Sequence, residues 1–446
     1  MKKFFVTVFT IMGVLSYAQT EELTLEKAIR YALENKADAQ KAQLAIERSN
    51  YQIQEVRASA LPKIDINAGL TYNIELQSIY INGSSFGQNG VVRMQMGQKW
   101  NSQATAQLTQ VLFNQTVFIG LKAARTTREF YQLNLELTET QIIEKVATIY
   151  YHVFQSKQTL ENIEQNLSLT EKTAAIINGL YDSGLAKKID LDRTIVAVNN
   201  LKSARQQALN GLQLTENTLK FMIGMPIEEQ ITLPKDGFEP DFRLVFEDDN
   251  IQERIEIRTL EKQHSLLELN IKAQQSNYYP SLALVGSYGW LGMGPKNPLF
   301  YGEKNDVYWS DFSSVGINLN IPIFAGFGTK AKVNMARVDL KSLEADIKDT
   351  KLAMNLALEN AKNQLQNSLL TIENQNNNVK LAQNVLLNTQ NNYAQGLATL
   401  TDLLDAERAL ADSKNNYTNA VLNYKLAEIE LLKAKGTLKQ NLLPLN

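Results

Sequence analysis

The sequence predicts a mainly α-helical chain with a membrane β-barrel part, built from two tandem repeats, each a long coiled-coil helical hairpin plus a β-hairpin. Three observations predict it: an internal similarity at an offset of 212 residues, a seven-residue apolar period across proline-free windows, and period-two runs that each follow a proline.

Tyr181-Asp-Ser-Gly184-Leu185-Ala186, followed by Asp190-Leu191, reads almost the same as Tyr393-Ala-Gln-Gly396-Leu397-Ala398, followed by Asp402-Leu403. The same offset carries Gly224 onto Gly436, which marks a duplicated unit rather than a local match. The repeats cover 19–226 and 249–437, with a linker at 227–248 and a tail at 438–446.

All nine prolines fall outside 63–225 and 323–443, so the strongest helix breaker is missing from both windows. Within them, 114–180 and 325–392 each suit one helix of roughly 100 Å at about 1.5 Å per residue. A Tyr-x-x-Gly turn and a return helix follow each, giving antiparallel hairpins over 114–224 and 325–436. Leu358, Leu365, Ile372, Val379, Leu386 and Tyr393 recur every seven residues, as a coiled-coil seam requires. Upstream the seam is Val333, Leu340, Ile347 and Met354, so the register advances by four before Leu358, a stutter. The first repeat copies that break: Leu121, Arg128, Leu135 and Ile142 give way to Val146, Val153, Leu160, Leu167, Ala174 and Tyr181. In the last return helix Leu403, Leu410, Tyr417, Tyr424 and Leu431 alternate with Ala406, Ser413, Ala420, Ala427 and Ala434. That large-small pattern lets neighbouring helices interlock.

Each repeat opens with a shorter helical segment, at about 23–59 and 250–276, then a proline, then strands. Ile64, Ile66, Ala68, Leu70, Tyr72 and Ile74 alternate with Asp65, Asn67, Gly69, Thr71, Asn73 and Glu75, one apolar and one polar face. The expected strand pairs are 64–76 with 100–112 and 281–290 with 312–323. Between the partners, 77–99 and 291–311 are rich in Gly, Asn, Ser and Pro and suit solvent-facing turns. Strands of about 9–11 residues are what a tilted membrane strand needs.

Residues 1–18 carry Lys2 and Lys3, an apolar run over 4–15 and a small-residue end, the pattern of a cleaved secretory signal. Its removal takes the formal charge from −2 to −4 with no basic cluster, which argues against a nucleic-acid partner. There are no cysteines, so disulfides, thiolate metal sites and a cysteine nucleophile are excluded. After the signal no apolar run is long enough for a transmembrane helix, so any membrane crossing is made by strands. His152 and His264 lie apart from each other and from any carboxylate cluster, and no zinc-protease, nucleophile-elbow or phosphate-loop motif occurs. The expectation is a non-enzyme without cofactor or metal.

Four strands cannot close a membrane barrel, and open strand edges are too costly in lipid. Several copies must therefore share one barrel. Two would supply eight strands; three would supply twelve, wide enough to hold open a lumen, together with twelve long helices.

With the paired repeats, strand hairpins and Tyr-x-x-Gly turns in place, the chain resembles the TolC-like outer membrane efflux protein family over nearly all of its mature length. The most specific piece is Gly396-Leu397-Ala398-Thr399-Leu400-Thr401-Asp402-Leu403-Leu404-Asp405-Ala406, which is similar to the family's tip motif. The resemblance implies a homotrimer in the outer membrane of a Gram-negative bacterium, with a 12-strand barrel and a 12-helix periplasmic tunnel. It implies an exit duct for a tripartite efflux pump or type I secretion system, partnered by a periplasmic adaptor and an inner-membrane transporter. It further implies that Asp402 and Asp405 form acidic constriction rings, and that the tips at Gly184, Leu185, Gly396 and Leu397 dock the adaptor. A latch arginine of the family is replaced by Ala398, which leaves Tyr393, Asp190 and Arg193 as latch candidates.

Asp402 and Asp405 are three residues apart and share a helix face, a spacing that suits solvated carboxylates near a helix start just as well. Trimer symmetry and the resemblance favour the rings. Residues 360–395 hold 17 Asn or Gln and three charged residues, Lys362, Glu373 and Lys380, which fits either a wet lumen lining or a solvated surface. The competing reading of the whole chain is a soluble periplasmic coiled-coil adaptor, which would be expected to carry one helical hairpin rather than two.

Overall fold

The computed structural model describes residues 22–87, 90–234 and 254–443. The expected signal at 1–18, most of the 227–248 linker and the end of the tail lie outside the described residues. The chain is mainly helical with some sheet. In order, its elements are α1 (Leu25–Asn35), α2 (Ala37–Ala58), β1 (Lys63–Tyr72), β2 (Gln77–Asn82), β3 (Val91–Met96), β4 (Trp100–Asn114), α3 (Gln115–Asp182), α4 (Lys188–Ile223), α5 (Ile255–Gln275), β5 (Ser281–Gly294), β6 (Tyr308–Asn320), α6 (Gly328–Ala394), α7 (Leu400–Lys435) and α8 (Leu438–Leu442). Among the described residues no helix is long and apolar enough to cross a membrane.

The chain divides into two compact units, and α3 and α6 each begin in one and end in the other. The first holds all six strands, within Leu44–Gln132 and Thr259–Ile347. Its main sheet runs β1-β4-β5-β6, every neighbour antiparallel, with β1 and β6 as free edges. The register aligns Ile64, Leu108, Gly286 and Val315 in one row and Asp65, Gln107, Ser287 and Ser314 in the next. Successive rows point to opposite faces, so these two rows put an apolar stripe on one face of the sheet and a hydroxyl-, amide- and carboxylate-bearing stripe on the other. On the polar face Ser287 and Ser314 share a hydrogen bond of 2.7 Å. On the apolar face Ile64, Ile66, Val315 and Ile317 are exposed. The helices joined to these strands keep their order. Val56 of α2 lies against Gly120 of α3, Lys262 of α5 pairs with Glu129 of α3 at 2.9 Å, and His264 of α5 faces Glu344 of α6 at 3.5 Å.

Two expectations about the strands change. Residues 77–99 are not all loop, because β2 and β3 pair in register as a separate hairpin. β5 and β6 also reach further than 281–290 and 312–323 at their outer ends, while β6 stops at Asn320, short of Pro322. Gly292, expected in the loop over 291–311, and Gly289, expected within the strand, are packing residues here. A Cβ on Gly289 would lie 2.5 Å from the Phe312 ring, and one on Gly292 would lie 2.7 Å from Trp309.

In the other unit α3 and α7 are central. α1 caps one end, with Thr24 accepting a bond from the Lys27 amide and Ala28, Ile29 and Ala32 buried. Those residues pack with Ile143, Tyr150 and Phe154 of α3, Ile223 of α4 and Ile429 of α7. Tyr150 is fully buried, and its hydroxyl donates to the Leu23 carbonyl at 2.8 Å. Burial raises its pKa far above the ordinary phenol value.

Away from that core the α3–α7 seam turns polar. Gln155 bonds Asn419 at 3.0 Å, Asn162 bonds Thr418 at 3.2 Å, and Lys414 bonds Gln165 at 2.7 Å. α4 lies outside α3, tied by Arg205 to Glu164 at 2.8 Å. α6 lies outside α7, where Leu358, Leu365 and Ile372 pack on Val421, Tyr424 and Leu431. Along α6 the buried residues keep the heptad through its stutter, from Val333 and Met354 to Leu358, Leu365, Ile372 and Leu386.

Candidate functional site at the hairpin tips

The two helical hairpins turn at Gly184 and Gly396, where the backbone is left-handed at φ +74° and +73°. Only glycine adopts that conformation without strain. The residue after each glycine bonds back five positions, Leu185 N–H to the Leu180 carbonyl and Leu397 N–H to the Asn392 carbonyl, each at 2.8 Å. This closes the free carbonyls of the descending helix. Leu185 and Leu397 stand 77% and 74% exposed beyond these turns, which neither hairpin end covers.

The return helices start differently. α7 opens with a capping box: Thr399 Oγ1 accepts from the Asp402 amide at 3.2 Å, and Asp402 Oδ2 accepts from the Thr399 amide at 2.8 Å and hydroxyl at 2.7 Å. These bonds hold the Asp402 carboxyl below the usual carboxylate range, the hydroxyl bond contributing most. α4 has no side-chain cap bond at Lys187. Asp402 is thus held by its own helix start, while Asp405 lines a groove between α4 and α7.

That groove encloses about 670 Å³ and brings Arg193, Thr401, Asp405, Glu407, Arg408 and Asp412 together. Arg193 of α4 donates to Thr401 Oγ1 of α7 at 3.2 Å and stands 4.0 Å from Asp190. Tyr393 of α6 packs against Leu386, Leu403 and Ala406. Burial first, and the Asp190 charge second, raise its hydroxyl pKa. The structure therefore gathers Asp190, Arg193 and Tyr393 around one point and links two hairpins there through Arg193 and Thr401.

Three groups at the tips escaped the sequence reading. Thr399 is recognisable only with Asp402 three residues on. Thr401 shows its role only once α4 lies beside α7. Glu407 is 2% exposed and accepts from Thr170 at 2.8 Å and Thr173 at 2.9 Å, both on α3. Its signal was present, because Leu400, Leu403, Glu407 and Leu410 follow the three-four spacing of a buried face. Among the described residues no group of His, Asp and Glu is arranged to hold a metal ion.

A sequence profile described as outer membrane efflux protein matches residues 28–225 and 248–437. Outer membrane protein TolC of Vibrio cholerae is 22% identical over 435 residues, covering 96% of this chain and 94% of that protein. The probable efflux pump outer membrane protein TtgC of Pseudomonas putida is 22% identical over 429 residues, covering 92% and 82%. Among solved structures, the Campylobacter jejuni CmeC outer membrane channel superposes with a TM-score of 0.72 at 16% identity, covering 98% of this chain and 93% of that one.

Proposed function

Because the chain belongs to the outer membrane efflux protein family, we propose that it is a passive exit duct gated at its periplasmic helix tips. It is an outer membrane channel for efflux or type I secretion, and its family is one of channels rather than enzymes. The duct is a homotrimer that shares a 12-strand barrel and a 12-helix tunnel and works between an adaptor and an inner-membrane transporter.

The observation that carries this reading is the two-faced open sheet. Its apolar row is exposed, its polar row is hydrogen-bonded, and β1 and β6 lack outer partners. β6 has 13 residues, about 43 Å at about 3.3 Å each, or about 30 Å of bilayer at a tilt of about 45°. Such edges persist in lipid only when another copy closes them. The helical unit is open in the same way. Phe221 and Leu214 on α4, and Leu356 and Leu370 on α6, are exposed on its two outermost helices. The rival soluble adaptor offers no use for an exposed apolar sheet face.

At the tips Asp190, Tyr393 and Arg193 form the latch, with Arg193 standing in for the arginine that Ala398 lacks. Asp405, with Asp402, sets the charge of the constriction, and Leu185 and Leu397 meet the adaptor.

Purified protein in planar bilayers provides the test. Asp402→Asn with Asp405→Asn should raise conductance and weaken block by multivalent cations, while the asparagine at 402 still accepts from Thr399. Unchanged conductance and block would sink the constriction assignment. A soluble monomer in the periplasmic extract, in place of a heat-modifiable trimer in the outer membrane, would sink the channel.

A further inference from the structure

The groove between α2 and α3, near the start of the main sheet, is unlike the rest of the surface. It encloses about 520 Å³ and is lined by Asn50, Ile53, Gln54, Arg57, Arg125 and Arg128. All six belong to the same compact unit as the sheet. Three guanidiniums face this space and no carboxylate does. Elsewhere Arg30, Arg205 and Arg258 each pair with a glutamate. The Nε of Arg128 is buried without a hydrogen-bond partner. An unsatisfied buried donor is costly, and Arg57 and Arg125 beside it, both exposed, bring like charge to its side. Arg128 also occupies a position of the apolar seven-residue seam, where leucine or isoleucine would pack with no such penalty.

We propose that this groove binds a phosphate oxyanion, supplied by the headgroup of an anionic phospholipid. The guanidinium fork matches two oxygens of a phosphate, and three forks with the Asn50 and Gln54 amides supply donors for all of its oxygens. Arg57 carries the case for a lipid source, being the arginine of the three nearest the strands. Arg57 lies in the last turn of α2, shortly before β1 begins at Lys63. Arg125 and Arg128 lie in the first turns of α3, which leaves β4 at Asn114, about 16–21 Å along the helix at about 1.5 Å per residue. The volume far exceeds that of a bare ion, and Ile53 gives the groove a buried apolar residue against which a glycerol backbone can rest. The lipid source rests on the outer membrane reading; the oxyanion chemistry does not.

The experiment is native mass spectrometry of the detergent-purified protein with phosphatidylglycerol, with diacylglycerol of the same chains, and with inorganic phosphate. Phosphatidylglycerol should be retained, and about tenfold less well by R57Q/R125Q/R128Q, while diacylglycerol should be retained by neither. Arg128→Lys, which keeps the charge and loses the fork, should fall between. If the triple variant fails to fold, the exposed Arg57→Gln alone carries the comparison. Retention of inorganic phosphate by the wild type and not by the variant supports the oxyanion site with free phosphate as its source. Equal retention of phosphatidylglycerol by wild type and variant, or equal retention of diacylglycerol, overturns the proposal. Binding is read without conduction, so failure of the channel assay would leave this result standing.

Discussion

Among the described residues Glu407 has two hydroxyl partners and no cation in an ion pair, an expensive arrangement for a carboxylate at 2% exposure. Burial raises its pKa above the ordinary glutamate value, and the Thr170 and Thr173 bonds pull it partly back. The folded protein then holds this proton more tightly than the unfolded chain. Its contribution to stability is fully present below the ordinary glutamate range and is lost as pH rises through the raised folded-state value, because the buried charge costs more than the two hydroxyl bonds return. The charged groups sharing its groove are Arg193 from α4 and Asp405, Arg408 and Asp412 from α7. Hydrogen exchange around Thr170 and Glu407 should therefore speed up from acidic to neutral pH by more than intrinsic exchange explains. Glu407→Gln should remove that excess. At the neighbouring helix start, Thr399→Ala should cost about 1 kcal/mol and fray the first turn of α7, read as lost amide protection at Asp402 and Leu403. Asp402 acts in the opposite pH sense to Glu407, because its carboxyl is held below the ordinary range and its cap is lost on acidification.

At the scale of elements, the long helices were the most legible part, because heptads repeat their evidence over many turns. α6 buries Met354 and Leu358 on either side of the register break, so the stutter is a packing feature as well as a spacing. Strand ends were less legible. Gly289 and Gly292 make room for Phe312 and Trp309 from a neighbouring strand, a long-range contact that a local glycine signal does not show. The β2–β3 hairpin was hidden by its own turn, since Gly83, Gly87 and Gly90 dominate a window whose flanks alternate only briefly. The tips stood out because a single glycine has to end each descending helix. Gly184→Ala and Gly396→Ala would each force a left-handed alanine at a cost of about 1–2 kcal/mol. Both should leave the far-UV spectrum intact and raise protease cleavage at the altered tip alone. What stayed hidden there, the Arg193–Thr401 bond, joins residues 208 positions apart.

At the scale of the whole molecule, the main sheet among the described residues stays open. Edge strands β1 and β6, and exposed apolar residues on α4 and α6, leave both compact units open on their flanks. If the proposed trimer closes these flanks, Phe221→Asp with Leu370→Asp should abolish its heat-modifiable band on semi-native gels while the chain keeps its helical spectrum. A trimer of undiminished stability would show that these flanks face solvent. The period-two runs in the sequence already supplied only four barrel strands, and the open edges of the sheet are consistent with the shared barrel proposed above.

The seam between α3 and α7 has a thermal consequence. Its middle stretch is joined by amides, hydroxyls and a carboxylate at Gln155–Asn419, Asn162–Thr418 and Thr170–Glu407, with Leu169 packing near Leu403 and Ala406, whereas the core under α1 is apolar. Exposing polar surface lowers heat capacity and exposing apolar surface raises it. Parting the polar stretch of the seam should carry a much smaller heat-capacity change than melting the core, which carries a large positive one. Calorimetry can then distinguish a protein that has opened from one that has begun to unfold, because only the second has an enthalpy that rises steeply with temperature.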